Sequence, residues 1–340
     1  MRLERESHIG VARETKLFDP RDGFGPLTDP LAVTDATVFR RQDRWWMCAG
    51  GKVKGREGIH LFSATLEPGA PLAAAGWKLT ADPRDASRVE ILAGYESSAA
   101  WDHQGGRHCP CHVKGWDPRR GAWVERIYYA GASQFLWGPY AIGYLEWDGE
   151  RWIDQAAPVF LAAEDWERGS VYEPNVIYAD GRWKMWYVAG SNQQNYIVQG
   201  YAESQDGATD WSKHTVFMPA EEKIFDFHVF RGVEGYEAVF SRIALTAETP
   251  AENAGLWWCE SEDASADAAH WSQPVQILTA ADRGWHSGPW KPSAQYGEGE
   301  SKHLFVFFDG VYRTADPGPF PFAFTLGCLE VARPGDQLAG

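Results

Sequence analysis

The sequence predicts an all-β fold, a five-bladed β-propeller with four antiparallel strands per blade, and three observations carry that prediction. A carboxylate stands ten residues ahead of an aromatic three times: Asp35 before Trp45, Glu173 before Trp183 and Asp226 before Tyr236. Each intervening segment reads as strand, tight turn, strand, and the pattern recurs with longer turns from Cys109 and from Lys291. Short runs of aromatic and β-branched residues broken by Asp-Gly and Gly-rich turns fill the chain, and no long stretch shows helical period.

The elements follow in order. First strands begin near 35, 109, 173, 226 and 291, at intervals of 53 to 74 residues, which defines five units. A third strand closes each unit: Ile59-His-Leu-Phe-Ser-Ala, Ala141-Ile-Gly-Tyr-Leu-Glu, Val198-Gln-Gly-Tyr-Ala-Glu, Leu256-Trp-Trp-Cys-Glu and Phe324-Thr-Leu-Gly-Cys-Leu. In the first four units a tryptophan (Trp77, Trp152, Trp211, Trp271) opens a short fourth strand. The fifth unit lacks one, so residues near 7–13 are expected to pair with the strand near 322–331 and close the ring. The expectation is one domain over 1–340, with blades near 30–80, 98–156, 170–215, 224–275 and 286–332.

Composition narrows the partners. With 340 residues, 44% of them hydrophobic, the chain can bury a large core. Its net charge of −15 repels phosphate backbones and anionic lipid, which argues against nucleic acid and membrane surfaces and for a neutral or cationic ligand. No apolar run approaches the roughly eighteen residues of a membrane span, and Met-Arg-Leu-Glu-Arg-Glu-Ser carries no hydrophobic signal core, so a cytoplasmic location is expected. Five cysteines in no framework spacing suit reduced thiols.

First strands of a propeller line its axis, and alternate side chains point the same way. One ring is then Asp35, Cys109, Glu173, Asp226 and Lys291, and the next is Thr37, Cys111, Asn175, His228 and Ser293. Carboxylates gathered in one pocket repel, which separates their proton affinities and yields an acid and a base. Such a channel also arises as a solvated lining without chemistry. In His108-Cys-Pro-Cys-His112 strict alternation turns the cysteines one way and the histidines the other, so no four-ligand zinc site is expected, and neither a metal nor a cofactor is. Cys109 activated by His228 is a conceivable nucleophile without a supporting motif. Trp45, Trp183, Trp211 and Trp271 sit at repeated positions and should pack between blades. Trp101, Trp137, Trp285 and Trp290 do not recur and are the candidates to stack on a sugar.

The repeat, with Glu173-Pro-Asn-Val-Ile-Tyr-Ala-Asp-Gly-Arg-Trp-Lys-Met-Trp-Tyr and Gly200-Tyr-Ala-Glu-Ser-Gln-Asp-Gly-Ala-Thr-Asp-Trp, resembles the five-bladed propeller glycosidases of families 43, 32 and 130. The resemblance implies a blade-one carboxylate as base or nucleophile, matched by Asp35, and a blade-three acid, matched by Glu173. It implies a blade-two aspartate as well, where this chain has Cys109, with Asp102 nearby and Asp226 facing in from blade four. Asp226 would then raise the pKa of Glu173 or hold a sugar hydroxyl. Trp101, Asp102, His108, Cys109, Asn175, His228, Trp290 and Lys291 are the expected substrate contacts. The activity implied is cleavage of a small glycoside. Phosphorolysis, with Lys291 holding an anion, transglycosylation or another non-hydrolytic reaction on the same scaffold, and a carbohydrate-binding propeller without catalysis are the alternatives.

Overall fold

The computed structural model describes residues 9–93, 101–102, 106–132, 138–191, 196–242, 253–297, 303–312 and 323–332. Five four-stranded antiparallel sheets form the five blades. Blade one runs Pro30–Arg41, Arg44–Val53, His60–Thr65, Lys78–Leu79, and blade two Gly106–Asp117, Ala122–Ala132, Tyr140–Trp147, Trp152–Asp154. Blade three is Val171–Ala179, Arg182–Ser191, Tyr196–Ser204, Ser212–Met218, and blade four Ile224–Arg231, Tyr236–Arg242, Gly255–Ser261, Val275–Thr279. Blade five takes Gly288–Tyr296, Leu304–Tyr312 and Ala323–Ala332, and its outer strand is the N-terminal Gly10–Phe18.

The closure matches the expectation, displaced by a few residues: Gly10 stands opposite Ala332 and Phe18 opposite Leu326, so 10–18 rather than 7–13 forms the clasp. One fourth strand is placed differently. Trp271 ends a short 3-10 turn that caps on Asp267, and the strand begins four residues later at Val275. A small hairpin, Ala81–Asp82 with Asp85–Val89, follows blade one and was not foreseen. No helix among the described residues is long and apolar enough to cross a membrane.

The core lies in the seams between blades. Val38, Met47 and Phe62 meet Phe305, Phe307 and Leu326 between blades one and five, and Tyr128, Ile142, Trp183 and Met185 fill the seam of two and three. Trp186, Phe227, Phe240 and Trp271 join three and four. Full burial of each large apolar side chain contributes roughly 1.5–3 kcal/mol, so the repeated tryptophans glue the ring as expected. Their size explains two glycines: a Cβ on Gly115 or Gly207 would come within 2.5 Å of the Trp183 ring.

Candidate active site

Five bulges build the centre. Asp35, Cys109, Glu173, Asp226 and Lys291 all have positive φ, between 47° and 57°. At each, the pairing of first and second strand slips: between Thr34 and Thr37, His108 and Cys111, Tyr172 and Asn175, Phe225 and His228, and Trp290 and Ser293. A bulge re-aims one side chain out of the pleat, and here it aims all five at the axis. Left-handed backbone costs a side-chain-bearing residue about 1–2 kcal/mol. That five equivalent positions carry this strain without a glycine marks them as the place where side chains are needed.

Lys291 organises the ring. Its Nζ lies 2.8 Å from Asp35 Oδ1, 2.9 Å from Glu173 Oε1 and 3.2 Å from Cys109 Sγ. Two of these are ion pairs and the third is a hydrogen bond to sulfur. Burial alone would raise the Asp35 carboxyl, but the Lys291 ammonium overrides it and holds Asp35 at about 2. Asp226 goes the other way: burial and then the adjacent Glu173 carboxyl, to which it hydrogen-bonds, hold it well above the usual carboxylate range. Asp226 is therefore the protonated partner of that pair, and its Oδ2 has no partner among the described residues. Within that pair Glu173 has Lys291 Nζ at ion-pair distance.

Strict alternation fails at blade two. The bulge at Cys109 brings His108 Nδ1 to 2.7 Å from Cys109 Sγ instead of turning the histidine away. Burial and the Lys291 charge lower His108, so it is a neutral imidazole. Burial, then Asp35 and Glu173, raise Cys109 well above an ordinary thiol. The donor atoms of Asp35, His108 and Cys109 fall within 4.8 Å of one another, a set able to hold a soft metal ion. The Lys291 ammonium already supplies the positive charge there, in contact with two of the three.

The second ring stitches blades together. Thr37 Oγ1 accepts the His112 N–H at 3.3 Å, Cys111 Sγ the Val176 N–H at 3.2 Å and Asn175 Oδ1 the Val229 N–H at 2.8 Å. His228 reverses the direction, its ring N–H donating to the Ala294 carbonyl, and its Nδ1 lies 3.0 Å from the Asn175 amide. Ser293 completes the circuit by donating to the Ala36 carbonyl. Asn175 and His228, expected as substrate contacts, thus hold neighbouring strands, and burial keeps His228 neutral, at about 4.

Two further expected contacts stand elsewhere. Asp102 is buried against Arg107 Nε and Tyr129 Oη, both at 2.8 Å. Trp101 stacks on Tyr129 and fills the space over Gly131 and Gly143, where a Cβ would approach it within 2.5 and 2.7 Å. Both belong to the wall of blade two, so Asp102 does not replace the absent blade-two acid. Trp137 lies outside the described residues. Trp290 is near the axis, half-buried, with its neighbour Lys291 Nζ 4.9 Å from its ring centre.

Aromatic rings form a wall on the side where the first strands begin. His108 meets Tyr140, which meets Tyr172, then Phe225, Trp290 and Phe324, with ring centres 5.0 to 6.1 Å apart. The gap enclosed by the two axial rings measures about 40 Å³, room for a water and no sugar ring. Two contributors escaped sequence reasoning. Tyr140 opens a third strand and carries no signal. Asp309 is fully buried, accepts the Asp35 N–H at 2.9 Å and the Thr34 hydroxyl, and so fixes the blade-one bulge. Its signal was a lone acid ending the apolar run Leu304-Phe-Val-Phe-Phe.

No protein-family model matches the sequence, and no curated protein matches it. Solved structures do. The chain is similar to an α-L-arabinofuranosidase from Podospora anserina in complex with cellotriose, at TM-score 0.56 and 11% identity over 96% of this chain and 97% of that one. It is also similar to a family 117 glycoside hydrolase from the marine bacterium Zobellia galactanivorans, at TM-score 0.60 and 14% identity over 96% and 90%. A sucrose-6-phosphate hydrolase from Lactobacillus gasseri aligns at TM-score 0.58 and 12% identity, over 91% of this chain and 61% of that one. At such identities the likeness establishes the propeller fold and its closure over nearly the whole chain.

Proposed function

We propose that the protein is a glycoside hydrolase whose reaction centre is the axial ring. The observation that carries this reading is that three inward carboxyls on strained bulges surround one lysine, which lowers Asp35, while burial and the adjacent Glu173 raise Asp226. Glycoside cleavage needs those two states together: an acid to protonate the leaving oxygen and an anion to meet the positive charge that develops on the sugar. The Asp226–Glu173 pair supplies the proton, with the free Asp226 Oδ2 as the atom that would donate it. Asp35 supplies the anion. Glycoside hydrolases among the structural neighbours support the substrate class.

Phosphorolysis is disfavoured, since the Lys291 charge is already matched by two carboxyls in ion-pair contact. The test is turnover of a panel of aryl glycosides by the wild type and by Glu173→Gln. The expected result is cleavage of at least one glycoside, falling by about 10²–10⁴-fold in the variant, with an unchanged circular dichroism spectrum. A fully active Glu173→Gln protein would overturn the assignment.

A further inference from the structure

Cys109 occupies the position where the resemblance called for a carboxylate, and a base and a cation stand beside its buried thiol. His108 Nδ1 stands 2.7 Å from Sγ on one side and Lys291 Nζ 3.2 Å away on another. The other four cysteines have no such company: Cys111 Sγ is tied to the Val176 backbone, and Cys48, Cys259 and Cys328 are buried in the blade seams. Among the described residues the buried His108 Nε2 has no hydrogen-bond partner. Asp35, by contrast, is a poor attacking group where it stands. One of its oxygens is bound to Lys291, the other faces the Cys109 N–H, and its main chain is pinned by Asp309. A carboxylate so held stabilises a neighbouring positive charge better than it moves to form a bond.

We infer that Cys109 is the nucleophile of the proposed glycoside cleavage, with His108 as its base and Lys291 as the cation that stabilises the thiolate. The inference rests on the proposed hydrolase reading and names the group that makes its covalent bond. In the first step Sγ bonds to the anomeric carbon and its proton passes to His108 Nδ1. The carbon–oxygen bond breaks, and the leaving oxygen takes the proton of Asp226. In the second step a water gives a proton back to the Asp226–Glu173 pair and bonds to the anomeric carbon. The carbon–sulfur bond breaks, and His108 returns its proton to sulfur. Asp35 remains anionic throughout and faces the oxocarbenium-like centre. A neutral imidazole beside a neutral thiol suits this course, because no thiolate need persist in a buried acidic pocket between turnovers.

Two measurements test it. The first needs no substrate: native protein is treated with iodoacetamide, and labelled cysteines are located by peptide mass spectrometry. Cys109 should react at least about tenfold faster than the other four, and His108→Gln should slow it by a similar factor. Labelling no faster than at Cys48 or Cys111, or a rate indifferent to His108→Gln, would overturn the proposal. The second uses 2,4-dinitrophenyl 2-deoxy-2-fluoroglycosides as the trapping probe. An adduct on Cys109, stable to hydroxylamine as a thioglycoside is, supports the inference; an ester on Asp35 or Glu173 refutes it. The two readings fail separately. Wild-type turnover that survives Cys109→Ala refutes the thiol and leaves the hydrolase standing, whereas selective alkylation without cleavage of any glycoside removes the hydrolase and leaves an activated thiol.

Discussion

Asp35 and Asp226 carry the same side chain into the same ring and are driven in opposite directions, because the Lys291 ammonium bonds the first and not the second. Two outcomes follow at this scale. Asp35 is lowered, so its contribution to stability is present above the unfolded value near 3.9 and is lost as pH falls through about 2. Asp226 is raised, so it favours the folded state at low pH and that favour is lost as pH rises from near 3.9 through its folded value. Asp226→Asn should therefore raise the melting temperature relative to wild type, by a margin that grows with pH, while cutting turnover by about 10²–10⁴-fold. Melting curves between pH 4 and 8 decide it, and a margin that shrinks with pH would contradict the assignment of the proton. Lys291→Met leaves Asp35 and Glu173 buried without their cation and should cost about 3–5 kcal/mol in urea denaturation. The identities of the ring were legible in the sequence from spacing alone. Their proton states were not, since these depend on which two carboxyls the lysine reaches.

The bulge is the unit that turns a blade into part of a site. Alternation along a strand correctly placed five residues on the axis and five beneath them, because the slip occurs at the same step in every blade. It failed for His108, which the bulge swings toward Cys109, and no residue pattern announces a left-handed aspartate or cysteine. Proline follows the bulged residue in three blades, at Pro110, Pro174 and Pro292, which is tolerable because the ladder is interrupted there. The second ring shows the other use of an inward position, as an acceptor for the next blade's backbone. Asn175→Ala should strand the buried Val229 N–H and cost about 1–3 kcal/mol, measured by urea denaturation, with kcat changed little. Loss of turnover at unchanged stability would instead return Asn175 to the substrate.

At the scale of the whole molecule the ring is held by its termini. Gly10–Phe18 covers the outer edge of Ala323–Ala332, an edge that would otherwise be free to pair with another chain. Removing residues 1–18 should lower the melting temperature by several degrees, at roughly 2–4 °C per kcal/mol for a chain of this size or somewhat less, and should promote aggregation. An unchanged melting curve would contradict the closure. The blade count, the order of strands and the clasp were legible from the repeat, because each unit is nearly self-contained and its turns are short. The inter-blade contacts of Asp309 and Tyr140 were not, since they join residues far apart in sequence without a repeated signal. The claim on which the functional reading depends is that the axial ring receives a sugar. Soaking crystals with a panel of monosaccharides measures this most directly. The predicted result is a sugar ring above Lys291, between Tyr140 and Trp290, with an oxygen within hydrogen-bonding distance of Asp226 Oδ2. A sugar found only in the groove between blades one and two, lined by Trp46, Trp147 and Arg151, with the axis empty, would contradict it.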